Sequence, residues 1–103
     1  MQQNYAKMMK QVQKMQEQMA KAQEELANET VSASAGGGMV TVVVSGNLEV
    51  REVRIEKDAV DPDDVEMLQD LVVAAVTDAL EQARKASEEK LARVTGGLRI
   101  PGM

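Results

Sequence analysis

The sequence predicts an α+β fold in a single domain over residues 1–103: a long N-terminal helix, a three-stranded antiparallel meander and a long C-terminal helix. Three observations predict it. Apolar residues recur at alternating three- and four-residue steps from Tyr5 to Leu26. A valine run lies between Gly36-Gly37-Gly38 and Gly46-Asn47. Asp61-Pro62-Asp63-Asp64 then opens a second long apolar stripe.

The first helix is expected over about residues 3–27. Tyr5, Met8, Val12, Met15, Met19, Ala22 and Leu26 form a heptad seam, and Gln, Lys and Glu, all good helix formers, fill the positions between. At ~1.5 Å per residue the helix is roughly 37 Å long. Its methionine stripe is read as packing against a partner helix rather than as a cofactor or peptide groove. Asn28 is a plausible stop.

Strands are expected at about 30–35, 39–45 and 48–55. Val31, Ala33 and Ala35 alternate with serines, and Val40, Val42 and Val44 share one face of the next strand. In the third strand Leu48 and Val50 are in phase, but Val53 and Ile55 are one residue out. That slip predicts a β-bulge near Arg51 and Glu52, since it would otherwise turn half the apolar set outward. The glycine cluster lacks the Gly-Lys-Ser/Thr ending of a phosphate loop and leads into a strand, so it is a turn.

The second helix is expected over about 62–94, with Asp61 as N-cap and Pro62 in the first helical position. Val65, Leu68, Leu71, Val72, Ala75, Val76, Ala79, Leu80 and Ala83 form its stripe, and Gly96-Gly97 is the expected end. It is roughly 50 Å long at ~1.5 Å per residue. Residues 96–103 are a loose tail.

Composition narrows the function. With no Cys and no His, thiolate chemistry and the commonest metal ligand and general base are absent, and an enzyme, a metal or another cofactor is not expected. The acids Asp58, Asp61, Asp63, Asp64 and Glu66 do not follow calcium-loop spacing. Neither a signal peptide nor a membrane span is recognisable, and a cytoplasmic protein is expected. With one aromatic residue and eight Met, the core is thin for a solitary domain, which favours an oligomer.

The formal charge of −5 is unevenly spread: residues 1–21 and 84–99 each carry +3, and residues 49–70 carry −6. A sheet of three strands at ~4.8 Å spacing is only about 15 Å wide, so both helices are expected to overhang it and bury their stripes on each other or on a second subunit. The packing residues expected are Met8, Val12, Met15, Met19, Val72, Val76, Ala79 and Ala83. Antiparallel helices would bring the two basic ends together, far from the sheet. Helix-end compensation and i to i+4 pairs (Glu17–Lys21, Glu81–Lys85, Glu89–Arg93) account for part of this charge. They do not account for Lys7, Lys10 and Lys14 near a helix N-terminus, where cations are unfavourable and a polyanion would relieve them.

The blocks MMKQVQKMQEQM, AGGGMVTVVVSGN, DDVEMLQDLVVAAVTDAL and TGGLRIPGM, in this order over nearly the whole chain, resemble the YbaB/EbfC family of bacterial nucleoid-associated proteins. The resemblance implies a tweezer-like homodimer that binds double-stranded DNA between protruding helices, with little or mixed sequence preference. Charge and geometry then nominate Lys7, Lys10, Lys14, Arg84, Lys85, Lys90, Arg93 and Arg99 as DNA contacts. The alternative is an adaptor that docks a replication or recombination protein without binding DNA itself.

Overall fold

A computed structural model describes residues 2–97 as α1 (Gln2–Asn28), β1 (Thr30–Ala35), β2 (Val40–Ser45), β3 (Val50–Ile55), a 3-10 turn (Lys57–Ala59) and α2 (Val65–Gly97). The strands form one antiparallel sheet in the order β1-β2-β3. The molecule is a rod, 74 × 23 × 16 Å, because the helices are far longer than the sheet.

The β1–β2 reversal is closed by the Ala35–Val40 pair, with Gly36, Gly37 and Gly38 all at positive φ, a conformation that costs other residues about 1–2 kcal/mol. The second reversal, at Gly46-Asn47, is wider than a two-residue hairpin turn. The amide of Ser45 donates to the Glu49 carbonyl (2.8 Å) and that of Leu48 to the Ser45 carbonyl (3.0 Å). The loop therefore occupies Gly46 to Leu48, with Leu48 at φ 68°. This wider loop starts β3 at Val50 rather than at residue 48. The slip in β3 resolves as a bulge: Val43 pairs with Glu52 and Val44 with Val50, leaving Arg51 unpaired. Val50, Val53 and Ile55 consequently lie opposite Val44, Val42 and Val40 on one face.

That face meets α2. Val40, Val42 and Val44 are completely buried with Ala75, Ala79 and Ala83, and Val72 and Val76 pack at the margin. Each fully buried valine contributes on the order of 1.5–2 kcal/mol. The expectation that neither helix is covered by the sheet is corrected here for α2. Alanines at i, i+4 and i+8 let its axis settle onto β1 and β2, so the centre of its stripe is buried within the chain while Val65 at its start stays exposed. Ala79 and Ala83 belong to this core.

The start of α2 is also shifted. Asp64, not Asp61, caps it: the Met67 amide donates to Asp64 Oδ1 at 3.2 Å. Asp61 instead accepts from the Asp63 amide (2.9 Å) in a turn that contains Pro62, and helix geometry begins at Val65. At the other end α2 continues through Gly96 to Gly97, past the expected limit of 94. The remainder of the expected tail, 98–103, lies outside the described residues.

Candidate nucleic-acid interface

The position of the basic residues depends on how α1 leaves the sheet. Its C-terminal end is tied down at three places. The Gly46 amide donates to the carbonyls of Leu26 (2.9 Å) and Glu29 (3.0 Å). Arg51, freed by the bulge, donates from Nη2 to the Ala27 carbonyl at 3.2 Å, a favourable place for a cation at a helix C-terminus. Across the helix pair, Lys90 Nζ bridges Glu25 Oε2 (2.9 Å) and Glu29 Oε1 (2.6 Å). Ala22 and Leu26 are buried in this joint.

Beyond the joint the helices run antiparallel, and Arg93 and Val94 of α2 share a cleft with Gln18, Lys21 and Ala22 of α1. From there α2 has only three more described residues, whereas α1 continues to Gln2. About 20 Å of α1 therefore projects past the described residues of α2, at ~1.5 Å per residue, and every residue from Asn4 to Lys14 is exposed. Among the described residues the two basic ends are not side by side as expected: Lys90 and Arg93 of α2 meet the C-terminal half of α1.

The nominated residues accordingly divide. Lys7, Lys10 and Lys14 are exposed on the projecting arm, where α1 has no acid in its first turn. Arg93 is exposed at the interhelical cleft. Arg84 and Lys85 are exposed, flanking the α2 turn that buries Ala83 against the sheet, and so sit away from the arm. Lys90 keeps only 20% of its side chain accessible and is engaged by two carboxylates. The hydrogen bonds it donates to Glu29 and Glu25 raise its pKa above 10.5, and the Lys90 contact lowers that of Glu25 below 4.5. Arg99 lies outside the described residues. None of the anticipated pairs Glu17–Lys21, Glu81–Lys85 or Glu89–Arg93 is among the salt bridges of the described residues.

Lys21 was missed as a site residue because it was assigned to Glu17. At ~100° per residue, Lys7, Lys10, Lys14 and Lys21 fall within a roughly 60° arc, away from the apolar seam, and the seven-residue steps Lys7–Lys14–Lys21 carried that signal. On the seam, Met8 (63% exposed) and Val12 (46%) face solvent, whereas Met15 and Met19 are half-buried. Among the described residues no group of three or more acidic side chains is arranged to hold a metal, and no helix is long and apolar enough to cross a membrane.

The profile of the YbaB/EbfC DNA-binding family matches residues 1–98. Proteins described as nucleoid-associated from Desulforamulus reducens and Staphylococcus saprophyticus are 57% and 61% identical to the chain over 100 residues, each match covering 97% of this chain and 95% of the relative. One from Staphylococcus carnosus is 62% identical with the same coverage. Among solved structures, an uncharacterised protein of Helicobacter pylori has the same fold, with TM-score 0.69 and 20% identity over 76% of this chain and 82% of its own.

Proposed function

The chain belongs to the YbaB/EbfC DNA-binding family, and we propose on that premise that it is a nucleoid-associated protein that binds duplex DNA as a homodimer, organising the chromosome or regulating genes. The family is one of DNA binding, not of catalysis. The observation that carries the mechanism is the exposed lysine stripe on an arm with no competing carboxylate in its first turn. Such an arm neutralises phosphates and releases DNA counterions; its one aromatic side chain, Tyr5, lies on the apolar seam rather than among the lysines. Affinity falls steeply with salt and depends little on sequence. The double substitution Lys10→Glu/Lys14→Glu weakens binding by a similar factor on unrelated duplexes at low salt, measured by fluorescence anisotropy. Unchanged affinity would remove the arm from the site. Capture of a replication or recombination factor without any duplex binding would favour the adaptor reading.

The homodimer is supported by β3. Val50, Val53 and Ile55 lie on the same sheet face as the core valines, yet remain 43–49% exposed because α2 covers only β1 and β2. An apolar surface continuous with a core, on an edge strand, is a liability unless covered. A second copy covers it twice over by symmetry, and brings two lysine arms to one assembly.

A further inference from the structure

The cleft where α2 meets the lysine arm holds an arrangement that the arm alone does not explain. It encloses about 360 Å³, and Lys21, Lys90 and Arg93 line it together with Glu25. Lys21 and Arg93 are exposed and form no salt bridge among the described residues. Lys90 lies deeper and spends its ammonium on Glu25 and Glu29. Three cations thus stand against two carboxylates, and the surplus rests on Lys21 and Arg93. Lys21 also sits at the inner end of the stripe begun by Lys7, so a phosphate backbone following the arm is led into this cleft.

We infer that the α1–α2 cleft clamps a DNA backbone phosphate between Lys21 and Arg93, and that Lys90 is a positioning residue that holds Glu25 and Glu29 and offsets part of their charge without touching DNA. The clamp rests on the duplex-binding reading above. Its logic is electrostatic. Two uncompensated carboxylates beside the cleft would repel a phosphate; the single Lys90 charge offsets half of theirs, and its bridge ties α2 to α1 where Arg93 and Lys21 line one cleft. A lysine already paired within the protein neutralises no phosphate and so displaces no counterion from the DNA, whereas each direct phosphate ligand adds about 0.9 to the slope of log K against log salt.

The salt slope therefore separates the roles. Binding of the full chain to a short mixed-sequence duplex is titrated with salt for the wild type, Lys21→Gln, Arg93→Gln, Lys90→Gln and the triple variant Lys90→Gln/Glu25→Gln/Glu29→Gln. Lys21→Gln and Arg93→Gln each reduce the slope by about 0.9 and weaken low-salt affinity about tenfold, the scale of one charged hydrogen bond. Lys90→Gln weakens affinity with the slope unchanged, and the triple variant regains it. Failure of the wild type to bind duplex at low salt overturns the duplex reading itself. Normal wild-type binding with undiminished slopes for Lys21→Gln and Arg93→Gln overturns the clamp alone. A reduced slope for Lys90→Gln that the triple variant does not restore makes Lys90 a phosphate ligand and overturns its positioning role.

Discussion

Replacing Gly46 with alanine tests the joint that aims α1. Gly46 is not at positive φ; its constraint is space. A Cβ there would lie 2.6 Å from the Leu26 carbonyl oxygen, 2.9 Å from Leu26 Cδ2 and 3.1 Å from Leu26 Cα. Two of these three atoms are backbone, so α1 itself must retreat, and the Gly46 amide loses its bonds to Leu26 and Glu29. Overpacking costs about 1–3 kcal/mol and the lost hydrogen bonding about 1 kcal/mol. The stiffer unfolded chain offsets about 0.4–1 kcal/mol of this, leaving a net loss of about 1–3.5 kcal/mol. For a domain near this size that lowers Tm by roughly 5–25 °C, followed by circular dichroism at fixed protein concentration so that association does not confound the midpoint. Gly37→Ala is the control. It meets no atom within 4 Å but sits at φ +69°, so it costs only about 1–2 kcal/mol from its backbone. A Gly46→Ala variant within about 0.5 kcal/mol of wild type, inside the range of ordinary surface changes, would refute the close-packed joint.

Three further outcomes follow from the same structure. Asp64→Ala loses about 1 kcal/mol of stability through the missing helix cap, read as a lower urea midpoint at unchanged slope, while Asp64→Asn retains most of it. Val53→Asp places a charge on the open apolar face of β3 and converts the proposed homodimer to monomer in sedimentation; a persisting dimer would locate the interface elsewhere. The Lys90 bridge has a defined pH window. The depressed Glu25 pKa contributes stability above 4.5 that is lost as pH falls through its folded value. The raised Lys90 pKa contributes stability below 10.5 that is lost as pH rises through its folded value. The stability difference between wild type and Lys90→Gln is accordingly level through neutrality and shrinks at both extremes.

Periodicity and turn chemistry are properties of neighbouring residues, and they made much of the architecture readable in advance. The heptad seam marks α1, the three glycines mark a reversal that other residues adopt only under strain, and the phase slip between Val50 and Val53 locates the bulge at Arg51. Local signals failed where two competed. Asp61 and Asp64 both precede the apolar stripe, and Pro62 favoured the first; the turn closed by Asp61 leaves the cap to Asp64. In the site, the arm lysines were visible as charges in an unfavourable place on a helix. The partition among Lys21, Lys90 and Arg93 was not, because it depends on which turn of α2 lies against which turn of α1.

The amino-acid order alone therefore settles the sequence of elements, their lengths within a few residues and the concentration of positive charge near the chain ends, since each follows from interactions within one turn or one strand. Packing decides where those charges stand. Three alanines let α2 lie on the sheet, a glycine without room for a methyl group fixes the departure of α1, and one lysine joins the two helices through a pair of glutamates. These contacts join residues far apart in the chain, and their consequence is a projecting lysine arm rather than two adjacent basic tips.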